Sequence, residues 1–482
     1  MNKKTAVNKE TAVNKETAVN KETAVNKETA VNRETAVNRE TAVDSDTAVN
    51  RAERLVADYV LSGGRFISNA AVDIGSDGRI TAVGANLPAT RGPVRNVGGL
   101  LMPGLVNAHA HTPMTVVRSA GDGLELRQWL QEGVWPREGK MNPDDARAGM
   151  LLGSAEMLLA GVTTSCEMYL FEDALVDAAH HSKARLVMTP GIIAALSPDG
   201  DVSGRLAEID QFFDEHHNPE GRITVGYGPH SLYDLSPDQL SEVHAHAHTR
   251  RALVHIHLEE TRFERQEVIE KWTGQTATEL LQSIGLLDGR LLVAHGVWLS
   301  ESDQQLIADA AGEIAVAHCP QSNLKLGSGI APIAAMRAKG ITVGVGTDGP
   351  ASNDNLDLWE ETRLAPLLAR GAGHDATAMS AKTALSLATV DAARAVGLSD
   401  VGDLQPNMWA DILRVDLDGP AFAVGLKEDL ASNLVFAASS SLVSDVWVAG
   451  ERVVENRRCL TVDVAEAVAD VRVRGQRLAR TP

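Results

Sequence analysis

The stretch ALVHIHLEE, residues 252–260, packs apolar and β-branched residues together and ends in His257, Glu259 and Glu260. A polar, helix-like stretch follows it. The same pattern returns in LLMPGLVNAHAH (100–111), VTTSCEMYLF (162–171), ARLVMTPGII (184–193) and RITVGYGPHS (222–231). It continues in RLLVAHGVWL (290–299), IAVAHCPQSN (314–323) and ITVGVGTDG (341–349). Continuous apolar runs separated by amphipathic stretches predict parallel strands covered by helices. Two such helices are ALVDAAHHSKA (174–184) and IAPIAAMRAKG (330–340), the second stopped by Gly340. Eight units between about residues 100 and 395 fit an α/β protein with a (β/α)8 TIM barrel. The histidines and carboxylates gather at the C-terminal ends of the runs, where that fold builds its sites.

Outside the barrel, assigned to 104–395, both flanks read as short strands with Gly/Asp turns. YVLSGGRFI and AAVDIGSDGRITAVG lie within 51–103, and ADILRVDL and SDVWVAGERVV within 396–482. Neither flank makes a comfortable domain alone. The expectation is one small β-sandwich domain built from both chain ends, followed by a C-terminal tail.

Residues 2–49 are eight hexapeptides of the type Asn-Lys-Glu-Thr-Ala-Val. A six-residue period matches neither a 3.6-residue helix face nor a heptad. One Val and one Ala per copy bury too little surface to offset the ordering entropy. Residues 1–50 are therefore expected to be a disordered tail without a catalytic role.

With 482 residues, 44% of them hydrophobic, the chain can bury a large core. Its formal net charge of −19 repels phosphate backbones, so no nucleic-acid partner is expected. Cys166, Cys319 and Cys459 are far apart and make neither a disulfide framework nor a thiolate zinc knuckle. No apolar run is long enough for a membrane span, and a cytoplasmic setting is expected.

His109-Ala110-His111 puts two imidazoles on one side of an extended strand, because side chains alternate faces. Alone, that spacing also fits two structural histidines. His257, His295 and Asp348 close the fifth, sixth and eighth runs and would face the same barrel mouth. Imidazoles with a carboxylate suit one divalent ion, Zn2+ first, with Fe2+ or Mn2+ acceptable to the same donors. No lysine ends the fourth run to bridge a second ion. Glu260, three residues past His257, can reach a metal-activated water, though it also reads as one charge in a polar EET stretch. His255 and His318 read as core histidines. His180, His181, His244, His246 and His248 read as surface residues.

The segments NAHAHTPMTVVRS, GYGPHSLY, HIHLEET, VAHGVWL, CPQSNLKLGSGIAP and GTDGPASNDNLDLWEETRLAPLL carry a family likeness. From about Gly104 to Val415 the chain resembles the 5-methylthioadenosine/S-adenosylhomocysteine deaminases of the amidohydrolase superfamily, hydrolases of the ATZ/TRZ type. The resemblance implies that His109, His111, His257 and Asp348 hold the metal and that Glu260 shuttles protons. It makes His295 and Asp348 partners in catalysis. Glu138 would grip ribose hydroxyls with Trp129 beside it, His230 would bind substrate, and Arg205 would meet an amino-acid end. Pro190 stands where such enzymes can carry a second arginine, which weakens the expectation of S-adenosylhomocysteine more than that of methylthioadenosine, adenosine or 5′-deoxyadenosine. The implied activity is hydrolytic deamination of an adenine nucleoside, a small-molecule partner. A homo-oligomer, whose neighbouring loops complete such mouths, is compatible with the family. The rivals are a free-base or pterin deaminase, a triazine-type hydrolase with the same metal site, and a binding protein that has lost turnover.

Overall fold

The computed structural model describes residues 52–480, apart from Arg91 and Thr273. The hexapeptide segment expected to be disordered lies outside the described residues.

Eight strand units follow one another: β1 (Leu105–Ala110), β2 (Val162–Tyr169), β3 (Arg185–Ile192) and β4 (Ile223–Val225, continued by Gly228–Pro229). They continue as β5 (Leu253–Leu258), β6 (Arg290–His295), β7 (Glu313–His318) and β8 (Thr342–Val345). All their pairings are parallel, in one sheet from β1 to β4 and another from β5 to β8. Two parallel bridges join the sheets, Tyr227 to Val254 and Ala110 to Asp348, so the pairings return to their start. The helices anticipated between strands are Glu172–Ser182 and Ile333–Ala338, and Gly340 stops the latter at φ +86°. Small and aliphatic residues from six of the strands, including Val106, Ala108, Cys166, Leu292 and Ala317, pack in one buried cluster with Ala392, Ala393 and Ala395.

The first apolar run holds two strands, not one. Leu100–Pro103 belongs to a different sheet from β1, and the break falls at Gly104. A Cβ at Gly104 would lie 2.2 Å from Thr163 Oγ1, so only glycine lets the chain pass so close to β2. Leu100–Pro103 runs antiparallel to Ile412–Val415 and parallel to Glu53–Ser62. Through it both chain ends meet, as expected. Hydrogen bonding joins them in one nine-stranded sheet. Register shifts at Asp73/Ile74, Arg414/Val415 and Val446/Trp447 mark where its strands depart from regular pairing.

Helix α1 (Pro143–Leu159) starts with a capping box, Asn142 and Asp145 each accepting the other's backbone N–H. Its partner is α2 (Val464–Ala479), which buries Ala467, Val471 and Leu478. Asp145 ties the two together, accepting from Arg474 at 3.0 Å and from Arg477. The strand-based reading of the C-terminal region did not anticipate this helix. Among the described residues no helix is long and apolar enough to cross a membrane.

Candidate active site

His109 lies in β1, His257 in β5 and His295 at the end of β6, while His111 directly follows β1 and Asp348 stands three residues past β8, bridged to Ala110. Gly346 permits the last approach, since a Cβ there would stand 2.7 Å from the His109 backbone nitrogen. Asp348 N then donates to His109 O at 2.9 Å. Glu259, His295 and Asp348 have left-handed backbones, with φ of +55°, +72° and +62°. Such residues cost about 1–3 kcal/mol each and persist where the surroundings fix them, here turning side chains inward at strand ends.

Hydrogen bonds set two of the imidazole tautomers. His111 Nδ1 faces Met168 O at 2.6 Å, and His257 Nδ1 faces His230 O at 3.0 Å. A carbonyl only accepts, so each Nδ1 carries the proton and each Nε2 presents a lone pair. These two Nε2 atoms stand 3.2 Å apart. Asp348 Oδ1 lies 3.3 Å from His111 Nε2 and 3.4 Å from His109 Nε2, and the latter atom is buried without a hydrogen-bond partner. Facing lone pairs repel unless a cation stands between them. A tetrahedral ion with bonds of about 2.0–2.1 Å separates its donors by roughly 3.3 Å, so this donor set fits one. His295 groups with His109 and His257 on the other side of the same cluster.

The electrostatics agree with a cation site. Burial lowers His109 to about 3 and, with the neighbouring imidazoles, holds His257 well below its ordinary value. Burial would raise Asp348, but His109, His111 and His295 more than compensate and keep it well below the carboxylate range. Ser322 and Ser352 donate to Asp348 Oδ2 at 2.6 and 2.8 Å, leaving Oδ1 to the histidines. Burial and the charge of Asp348 push Glu260 up to about 8, so it is the group in this cluster able to carry a proton near neutrality. Its Oε2 is 3.7 Å from His295 Nε2, whose other nitrogen meets Asn323 Oδ1 at 2.9 Å.

Above these side chains lies a cavity of about 230 Å³, lined among others by Trp129, Glu138, Tyr169, His230 and Tyr233. Trp129 belongs to a π-helical turn, Trp129–Val134, and its Nε1 donates to Ala120 O at 2.8 Å, leaving its ring to the cavity. Glu138 Oε1 accepts from the Tyr169 hydroxyl at 2.5 Å. Burial lowers His230 to about 4, so it meets a ligand as a neutral ring. Arg205 is not brought here. It holds Glu172 with both terminal nitrogens, at 2.8 and 3.1 Å, and Gly191 O with Nε at 3.1 Å. Pro190 pairs within β3 opposite Tyr169, also outside the lining.

Several participants escaped the sequence reading. Glu167 is buried and accepts from Thr112 N and Oγ1 at 2.8 and 2.6 Å, which pins the chain just after His111. Tyr169, like Glu167, stands near the end of its strand, the one positional signal that could have found it. Ser322, Ser352 and Asn323 lie in segments quoted for the likeness, without a role attached. His318 was read as a hydrogen-bonded core histidine; it is buried, but neither ring nitrogen bonds to a described residue. His255, read the same way, bonds His109 Nδ1 at 2.8 Å.

Comparison with known proteins adds four likenesses to this geometry. The model of the amidohydrolase family matches residues 100–453. A 5-methylthioadenosine/S-adenosylhomocysteine deaminase of Desulfitobacterium hafniense is 38% identical over 385 residues, 79% of this chain and 86% of that protein. The structure of an adenosine deaminase from Xanthomonas campestris with bound zinc superimposes with a TM-score of 0.81 and 34% identity, covering 88% of this chain and 98% of the other. An atrazine chlorohydrolase from Arthrobacter aurescens in complex with zinc gives 0.80 and 27%, covering 88% and 100%.

Proposed function

The chain belongs to the amidohydrolase family, and from that premise we propose that it hydrolyses the C6 amino group of an adenine nucleoside, giving the inosine analogue and ammonia. The ring of parallel pairings is read as the family's (β/α)8 barrel over 104–395, with a small β domain contributed by 51–103 and 396–482. The observation that carries the reading is the convergence of His109, His111, His257 and Asp348 on one point, beside Glu260 and beneath the cavity that holds Glu138. These four residues would hold one divalent ion, zinc first, which is the metal in the two solved relatives. When bound, such an ion supplies a water that ionises near neutral pH.

The chain's own groups do the rest. Glu260 takes a proton from the attacking water and returns it to ring N1, so that the ring can accept the electrons as oxygen bonds to C6. The proton left on that oxygen then passes to the amino nitrogen, the C6–N bond breaks as the carbonyl forms, and ammonia leaves. Asp348, held ionised by its histidine neighbours, accepts a hydrogen bond from the attacking water and leaves the proton to Glu260. His295, beside Glu260, orients the water or faces the oxygen as negative charge grows on it. Glu138 holds the ribose diol and Trp129 packs beside it, so binding energy far from C6 positions the reacting ring. His230 contributes a neutral ring to the same wall.

Among the described residues lining the cavity there is no lysine or arginine, Arg205 being engaged with Glu172. A substrate carboxylate would lack a charge-assisted partner there. This favours methylthioadenosine, adenosine and 5′-deoxyadenosine over S-adenosylhomocysteine. A second reading, a triazine-type hydrolase, draws on the likeness to the atrazine enzyme, but Glu138 would then have no diol to hold.

The test is ammonia release by zinc-loaded protein across these nucleosides, free bases and an aminotriazine. The expected result is turnover of nucleosides, methylthioadenosine ahead of S-adenosylhomocysteine by roughly tenfold or more in kcat/KM for the missing charge-assisted pair. Glu260→Gln should lower kcat by about 10²–10⁴ while zinc content stays the same. Turnover of free bases or triazines alone would overturn the reading.

A further inference from the structure

His255 is fully buried in β5, two residues before His257, and it touches the cluster from behind. Its Nε2 lies 2.8 Å from His109 Nδ1. Its Nδ1 lies 3.1 Å from Thr189 Oγ1 and 3.6 Å from Cys166 Sγ. Thr189 Oγ1 in turn lies 2.8 Å from Glu167 O.

The direction of this chain can be read from its far end. A carbonyl oxygen cannot donate, and a threonine has a single hydroxyl proton. At 2.8 Å that proton must lie between Thr189 Oγ1 and Glu167 O, since two oxygen lone pairs at that distance would repel. Thr189 can then only accept from His255, so Nδ1 of His255 carries its proton, with Cys166 as a weak second acceptor. A neutral His255 presents a lone pair at Nε2, which can only accept from His109 Nδ1–H. His109 is left with a lone pair at Nε2, the buried atom beside Asp348 that has no other partner. If the hydroxyl pointed the other way, each bond would reverse and His109 would aim an N–H at the cation.

We propose that His255 is a positioning residue that, through Thr189 and the Glu167 carbonyl, fixes the tautomer of His109 so that its Nε2 lone pair meets the metal. The inference rests on the reading of His109 as a metal ligand. A ligating histidine's outer partner is commonly a carboxylate or a backbone carbonyl. His111 and His257 use carbonyls, whereas His109 uses a second imidazole, itself oriented by a carbonyl two bonds away. The arrangement adds no charge to a buried cluster already holding Asp348 and Glu260.

The test uses the full chain and zinc alone. Zinc affinity is read by competition with a chromophoric chelator, and the His109 tautomer by ¹⁵N chemical shifts in zinc-free protein. Removing an outer partner commonly lowers metal affinity by about 10–100-fold, and His255→Leu should do so. His255→Gln, whose amide oxygen can accept from His109, should recover most of that loss. Thr189→Val keeps the core shape and removes the hydroxyl that accepts from His255 and donates to Glu167 O, so it should lower affinity by a smaller factor and mix the His109 tautomers. It carries the decision if His255→Leu does not fold. Unchanged zinc affinity in these variants, or a His109 that holds its proton on Nδ1 in all of them, would overturn the proposal. A wild-type protein that binds one zinc but deaminates nothing would sink the proposed reaction and leave this inference standing.

Discussion

Glu138 and Tyr169 form a pair whose consequence can be measured. Burial raises Glu138, and the hydrogen bond from the Tyr169 hydroxyl works against that rise. Removing the hydroxyl in Tyr169→Phe therefore raises Glu138 further, so more of it is protonated, and increasingly so as pH falls. A protonated carboxyl accepts more weakly from a ribose diol. Hydrogen bonds to charged groups contribute about 1.5–3 kcal/mol, so KM for methylthioadenosine should rise by roughly 10-fold or more while kcat stays within a few-fold. The rise should be larger at pH 6 than at pH 8.5, and a KM that is unmoved at both would remove Glu138 from ribose binding. Residues at this scale were legible to very different degrees. His109, His111, His257, His295, Asp348 and Glu260 stood out because strand ends face one mouth in this fold. Glu138 and Trp129 lie on short α- and π-helical turns over 126–138 outside the strand pattern, and only the family likeness pointed to them. The outer bonds of His255 and Ser322 join residues 146 and 26 positions away, so no local pattern announces them.

Elements show the same division between local and long-range information. All eight polar-ended runs correspond to strand units, because burial on both faces writes itself as an unbroken apolar run. The divided first run was not legible: its break depends on Gly104 meeting Thr163, nearly sixty residues later. Helix α2 was missed too, since it lies on α1 and needs that partner to bury its apolar side. Another long-range tie joins β3 to the terminal sheet. Asp411 accepts from Arg185 at 2.9 and 3.2 Å and from Ala449 N at 2.7 Å, and both charged side chains are buried. The Arg185 guanidinium also lies 5.4 Å from the Trp409 ring, which carries Arg79 at 4.0 Å. Asp411→Asn leaves Arg185 charged and uncompensated, which should cost about 3–5 kcal/mol. Replacing both partners with apolar residues should cost far less, because no buried charge is then left alone. Denaturation of the two variants checks this; equal losses would show that shape, not charge, governs the joint.

At the scale of the whole molecule, net charge has little to say about substrate, but buried titratable groups tie stability to pH and to the metal. Burial and Asp348 raise Glu260 to about 8. Burial and Glu260 raise Glu264 to about 7, and burial raises Glu361 to about 8 against the bonds it accepts from Gln321 and Asn353. Each binds a proton in the folded chain that an unfolded glutamate, near 4.5, has released. Their stabilisation is complete below pH 4.5 and is lost as pH rises through 7 to 8. His109, His230 and His318 act in the opposite sense. Burial lowers them to about 3, 4 and 3, so their contribution is complete above 6.5 and is lost as pH falls. Between pH 4.5 and 6.5 the two sets offset each other, so metal-free protein should hold its stability there and weaken toward pH 8.5. A bound cation favours the ionised carboxylates beside it and needs its imidazoles neutral, so loading should help more as pH rises. At a free zinc concentration of about 100 times Kd, loading adds about 2.7 kcal/mol. The thermal midpoints of loaded and chelated protein, measured from pH 5 to 8.5, should draw apart with rising pH. A chelated protein that stabilised steadily from pH 6.5 to 8.5 would mean that these glutamates are ionised in the folded chain, and Glu260 would then enter the reaction as a carboxylate even before any metal binds.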